Sequence, residues 1–194
     1  MSPLWPGEQR IAIGQGGLAD LPEIRRGARV VAIVSSYRAR YLLLPWSTNL
    51  SSENDWKAYA QHRFSEIFGP QAGDWDFRVS PSRRGAARLA CGIERLLLDA
   101  LRRKAAESGA LLVSVRPALM DAFNAQRRAF RRAPGWLVAA DQGRLTLALI
   151  VQGVWELVRV RNVGPAWRDE LPAILRREEL LAKRDAAVER VVLA

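Results

Sequence analysis

Cysteine is almost missing from this chain. Cys91 is the only one in 194 residues, which excludes a disulfide framework and a cysteine-rich metal site. It stands in an apolar run and reads as a small buried hydrophobe. Histidine is as scarce. His62 is alone, between Gln61 and Arg63 on the polar side of its segment, and reads as a surface residue. No Ser-His-Asp, Cys-His or zinc arrangement can be built from it. Lysine stands only at 57, 104 and 183, so the net charge of +10 is arginine charge. The arginines fall in short dispersed groups, not in a basic tail. Such an arginine-rich, lysine-poor balance often reflects a GC-rich genome, so the charge is discounted as a sign of nucleic acid. A favourable potential toward acidic partners or an anionic membrane surface remains. No run supplies the ~20 apolar residues of a membrane-spanning helix, and MSPLWPGEQR lacks the apolar centre of a secretory signal. The expectation is a cytoplasmic protein.

What the chain has is ample apolar material, 49% of residues, enough for one domain with room for two lobes. Residues 1–27 are rich in glycine and proline and read as an N-terminal extension, with a short strand near Arg10–Gly14. Gly14-Gln15-Gly16-Gly17 matches no phosphate-binding fingerprint and reads as a flexible turn. Val30–Val34 and Tyr41–Leu44 read as two strands of a hairpin joined by Ser35–Arg40. Ser51 or Ser52 caps a helix with Glu53 and Asp55 in its first turn. Trp56, Tyr59, Ala60, Phe64 and Ile67 give that helix its periodicity, and Gly69–Pro70 ends it. Trp75, Phe77 and Val79 alternate as a strand does and pair with Arg88–Ile93. A second helix carries Ile93, Leu96, Leu97, Ala100 and Leu101 and ends near Gly109. Leu111–Val115 is a strand. Pro117 opens a third helix with Leu119, Ala122, Phe123 and Phe130 inward. A last helix spans about Trp167–Lys183, and Val188–Leu193 reads as a terminal strand. No repeat occurs at solenoid periods. This mixed order argues for an α/β protein with mixed sheets.

Trp136–Val160 carries the most information. WLVAADQGRLTLALIVQGVWELVRV holds three strands broken at Asp141–Arg144 and Gln152–Gly153, a meander. Asp141 with Gly143 between apolar strands is the best chemical candidate. A carboxylate there can hold Mg²⁺ through water while backbone N–H groups face phosphate. The same residues also serve a plain tight turn, with Asp capping and Gly at positive φ. Asp99 and Asp121 could face one cavity, but their spacing does not show it. Arg127, Arg128, Arg131 and Arg132 form a solvated face or a contact surface for acidic peptide or lipid. Of seven tryptophans, Trp56, Trp136 and Trp155 fall on apolar faces and read as core. Trp5, Trp46 and Trp167 flank loops and are candidates for interface anchors.

The order of elements resembles the actin-like (RNase H-like) fold of bacterial pilus and secretion assembly proteins of the PilM and GspL cytoplasmic-domain type. YLLLPW with its following helix carries the likeness, as does RLACGIERLLLDALRRKAAESGALLVSVRPALMDAFN. So does WLVAADQGRLTLALIVQGVWELVRVRNVG. Together they cover roughly residues 28–182. The resemblance implies a first actin-like lobe over 28–133 and a truncated second lobe over 134–194. It implies a non-catalytic scaffold without an obligatory cofactor, docked at the inner membrane through a bitopic partner's cytoplasmic peptide. The peptide would lie near the first helix and the strands Trp75–Val79 and Arg88–Ile93, against Trp56, Tyr59, Arg63, Trp75 and Phe77. Two departures bear on nucleotide. The first turn, Ser35–Ser36–Tyr37, lacks the acidic Asp-x-Gly that binds phosphate and Mg²⁺, and no glycine-rich adenosine loop follows the second hairpin. ATP and Mg²⁺ binding at Ser35, Ser36, Asp141 and Gly143, as a switch or ATPase, is one alternative. A basic nucleic-acid binder of RNase H-like fold is another. The truncated lobe implies an exposed sheet edge open to a partner or a second copy.

Overall fold

A computed structural model describes residues 7–131, 133–141, 143–182, 188 and 190–194. The strands are β1 (Glu8–Ile13), β2 (Arg29–Val34), β3 (Ala39–Leu44), β4 (Trp75–Val79), β5 (Arg88–Glu94), β6 (Leu111–Pro117), β7 (Gly135–Asp141), β8 (Arg144–Val151), β9 (Val154–Asn162) and β10 (Val191–Leu193). The helices are α1 (Glu53–Phe68), α2 (Arg95–Glu107), α3 (Ala118–Gln126) and α4 (Trp167–Leu181), with short 3₁₀ turns at Pro70–Asp74 and Arg127–Phe130.

Three sheets result. The first is parallel, in the order β1-β2-β6. The second is antiparallel, β3-β5-β4. The third runs β10-β7-β8-β9, with β10 parallel to β7 and the rest antiparallel. The mixed α/β reading of the sequence stands, and so do the meander and the β4–β5 pair.

The expected hairpin of Val30–Val34 with Tyr41–Leu44 does not form. β2 lies in the first sheet and β3 pairs with β5 in the second. Both edges of β2 are taken by β1 and β6, so no ladder position is left for β3. The backbone between them closes a helical turn. Arg38 N–H and Ala39 N–H both donate to the Ser35 carbonyl, at 3.0 and 2.9 Å.

Ser52 caps α1 through a capping box: its hydroxyl accepts from Asp55 N–H, and the Asp55 carboxylate accepts from Ser52 N–H. This satisfies donors that a helix start otherwise leaves open. Gln152 (φ 50°) and Gly153 (φ 76°) form the tight β8–β9 turn, whose two positive φ values match the twist of the flanking strands. At mid-strand Gly92 a Cβ would come within 2.9 Å of the Phe77 and Trp75 rings. Glycine there lets β4's aromatic rings lie against β5.

Three apolar clusters hold the layers. One lies between the sheets and runs from Ile13 and Val34 through Leu97, Leu101 and Phe130 to Leu137 and Ile150. One seals α4 on the third sheet through Trp136, Leu147, Trp167 and Leu171. One seals α1 on the second sheet through Trp56, Phe64, Phe77 and Ala90. Trp167, a candidate interface anchor, is therefore core. Trp46 is half-buried against the α1 cluster, and Trp5 lies outside the described residues.

Candidate functional site

The two turns singled out in the sequence come together. β2 leads into the Ser35–Tyr37 turn, and β7 ends at Asp141, which pairs in register with Arg144 across its own turn. Between them and α3 lies a cavity of about 390 Å³, lined by Arg10, Ser36, Asp121, Ala139, Asp141 and Thr146 among others. Ser36 Oγ and Asp141 Oδ2 are buried there without a hydrogen-bond partner. Arg10 pairs with Asp121, which Arg116 also approaches at 3.5 Å. Asp99 lies elsewhere, on exposed α2, paired with Arg102.

The first turn has little left to offer a phosphate. Tyr37 N–H donates to Ser35 Oγ at 3.0 Å, and Arg38 and Ala39 N–H are used by the Ser35 carbonyl. Arg144 reaches over from the second turn. Its Nη1 donates to the Ser36 carbonyl at 3.1 Å, its Nε donates to Asn162 Oδ1 at 3.0 Å, and its guanidinium lies 3.9 Å over the Tyr37 ring. Arg40 Nη1 donates to the Ser36 and Tyr37 carbonyls. Burial, then the Arg144 charge, hold the Arg40 guanidinium below its usual pKa; Glu94 opposes this and Arg38 adds to it. Gly143, at φ 84°, gives its carbonyl to Val163 N–H. No group of three or more His, Cys, Asp or Glu side chains is placed to hold a metal among the described residues. Asp141 and Gly143 thus act as a turn beside a cleft that is mostly apolar, with Arg10, Ser36, Asp121, Asp141 and Thr146 among its polar members and one Asp141 carboxylate oxygen buried without a partner.

A second concavity, about 380 Å³, lies between the second sheet and β6. Its lining includes Arg78, Leu89, Cys91, Leu98, Val113 and Met120. It is mostly apolar, with Asp76, Arg78 and Arg102 as its charged members. Among the described residues no strand pairs with the outer edge of β6.

The residues expected to meet a peptide lie on the other face of the second sheet. Trp56 and Phe77 are 2% and 3% exposed and packed beneath α1. They have no surface to offer, which corrects their reading as contacts. Tyr59, Arg63 and Trp75 are half-buried on that side, and Arg63 pairs with Glu66. The groove is built instead from the alternate residues Asp76 and Arg78 of β4 and Leu89, Cys91 and Ile93 of β5. Of the arginine group, Arg127, Arg128 and Arg131 are exposed and Arg132 is outside the described residues. His62 is exposed beside Glu66.

No family model and no curated protein matches this chain. Solved structures do. One is the cytoplasmic domain of EpsL, an inner membrane component of the type II secretion system of Vibrio cholerae. Its TM-score is 0.54 at 11% identity, over 86% of this chain and 65% of that one. The PilM–PilN type IV pilus biogenesis complex matches at TM-score 0.50 and 15% identity, over 80% of this chain and 49% of that one. A Bacteroides thetaiotaomicron protein of actin-like ATPase fold matches at TM-score 0.51 and 13% identity, over 85% and 58%. The chain thus spans half to two thirds of the length of these structures. At such identities the likeness shows the fold, and that fold is the actin-like one expected from the sequence.

Proposed function

We propose that this chain is a non-catalytic actin-like assembly protein of a type IV pilus or type II secretion platform. It works at the cytoplasmic face of the inner membrane and binds the cytoplasmic peptide of a bitopic membrane partner. The reading takes residues 28–133 as a first lobe, with β1 of the 1–27 extension paired into its first sheet, and 134–194 as a partial second lobe. The observation that carries it is the apolar groove beside the open edge of β6. Unpaired strand edges accept extended peptides through backbone hydrogen bonds, while adjoining pockets take alternate side chains. The resemblance to EpsL and to PilM in its complex with PilN supports the class of partner.

The test is fluorescence-polarisation titration with labelled peptides that copy the cytoplasmic segments of the same organism's bitopic pilus and secretion proteins. Saturable binding is expected. Val113 is 44% exposed on β6, so Val113→Asp should abolish binding and leave the fold intact. Tyr59→Ala and Arg63→Ala, on the far face, should leave binding unchanged. Failure of every peptide sinks the proposal.

The unpartnered Ser36 Oγ and Asp141 Oδ2 favour one other reading, a nucleotide-responsive switch with Asp141 toward Mg²⁺. Calorimetric titration with ATP and Mg²⁺, repeated with Asp141→Ala, decides it. Saturable heat lost in the variant supports the switch, and no heat from folded protein ends it.

A further inference from the structure

One side chain bridges the two turns, and neither candidate function uses it. Arg144 is the first residue of β8 in the third sheet. Its Nε is held on its own sheet by Asn162 Oδ1, while its Nη1 and its flat face reach the Ser36 carbonyl and the Tyr37 ring at the end of the first sheet. A guanidinium suits both tasks at once, because it donates in a fixed fork and stacks on aromatic faces. The receiving turn is already stiff. Ser35 Oγ, the Ser35 carbonyl and Arg40 Nη1 fix the backbone from Ser35 to Ala39.

The backbone offers no equivalent link. The first sheet's ladder runs β1-β2-β6 and the third runs β10-β7-β8-β9, and no ladder joins them among the described residues. What lies between them is apolar packing, which resists separation but has no preferred direction. A charged hydrogen bond and a cation–π contact do have direction. The contact also forms against resistance. Arg40 and Arg144 both donate to the Ser36 carbonyl, so two like charges crowd one acceptor. Glu94 is the nearby carboxylate, 3.7 Å from Arg38.

We infer that Arg144 is an internal clamp: it ties the Ser35–Tyr37 turn after the first sheet's β2 to the third sheet, fixing their relation without a bound ligand. The clamp does not depend on what the β6 groove binds.

Amide hydrogen exchange with peptide-level readout tests it on the wild-type protein, Arg144→Ala, Arg144→Lys and Tyr37→Leu. In Arg144→Ala, the amides of residues 37–40 should exchange about tenfold or more faster, the scale of losing a charged hydrogen bond with its cation–π contact. The central amides of β8 should keep their wild-type rates. Arg144→Lys should recover only a minor part, since an ammonium cannot stack flat on Tyr37 while bonding Ser36 and Asn162. Tyr37→Leu, which keeps the Ser36 bond, should show an intermediate acceleration. Unchanged exchange at 37–40 in folded Arg144→Ala overturns the inference, as does full recovery by lysine. If Arg144→Ala does not fold, Tyr37→Leu decides alone, and wild-type rates there overturn it.

Discussion

Glu178 is the most consequential buried charge in the described chain. It sits on α4 at 0% exposure and meets Arg161 of β9, with Arg159 a further 3.9 Å contact. Its Oε2 has no hydrogen bond. Taking a carboxylate out of water costs several kcal/mol, which a well-placed guanidinium offsets without a large surplus. The two ways of breaking the pair therefore differ. Arg161→Ala strands the carboxylate with only the mostly exposed Arg159 nearby. The expected loss is about 3 kcal/mol, the low end for orphaning a buried charge because Arg159 can still approach. For a chain of this size that lowers the melting temperature by about 6–12 °C. Glu178→Leu removes the buried charge itself and leaves Arg161 free to turn to water, since its side chain is one-third exposed. The expected loss is about 1 kcal/mol or less. The double variant Arg161→Ala/Glu178→Leu should lose about 1 kcal/mol, so the cycle returns a coupling of about 3 kcal/mol. Urea unfolding followed by tryptophan fluorescence reads it, because Trp136 and Trp167 lie buried where α4 packs on the third sheet. Arg161→Ala within about 1 kcal/mol of wild type would refute the reasoning. So would a double variant as unstable as the two single losses added.

Two further outcomes follow from buried groups. Burial by itself raises the Glu179 carboxyl, but Val188 N–H, the Trp136 indole N–H and Arg176 together hold it below its usual pKa. A depressed carboxyl adds stability above its unfolded value near ~4.3 and loses it as pH falls through the folded value. The urea midpoint of wild type should therefore drop below about pH 4.3 more steeply than that of Glu179→Gln; parallel curves would refute this. Cys91 is buried in the groove floor, and burial pushes its thiol well up. An aromatic disulfide reagent at pH 8 should label it only as fast as the protein opens, and prompt labelling of native protein would refute that.

Elements written in local sequence were legible, and pairings that depend on distant strands were not. The meander shows because apolar runs alternate with Asp-x-Gly and Gln-Gly turns, and α1 shows because its cap and period lie within one stretch. β1 was visible as a strand, but nothing near it indicates that it takes the edge of β2. Parallel pairing leaves no tight-turn signature, so a tertiary neighbour displaced β3 from the hairpin that proximity suggested. Trp167 misled for a similar reason. It follows a Gly-Pro loop, yet it opens α4 and turns onto the third sheet.

The candidate site shows the same limit one level up. The resemblance set the expected peptide on the α1 face of the second sheet, whereas the groove opens on the other face. From Leu89 to Ile93, β5 is buried at five consecutive positions. A strand covered on both sides loses the alternation that separates inside from outside. Trp56 reads as core from its own periodicity; only the resemblance set it and Phe77 against a peptide, and α1 covers that face while Leu89, Cys91 and Ile93 line the groove. The cleft reverses the case. The resemblance, not a local motif, set Ser35 and Ser36 with Asp141 and Gly143; of these, Ser36 and Asp141 line the cleft. Arg144 was passed over because an arginine at the head of a strand carries no signal until the other turn lies under it. The contact between residues 36 and 144 that joins the two turns lies in no single window of sequence.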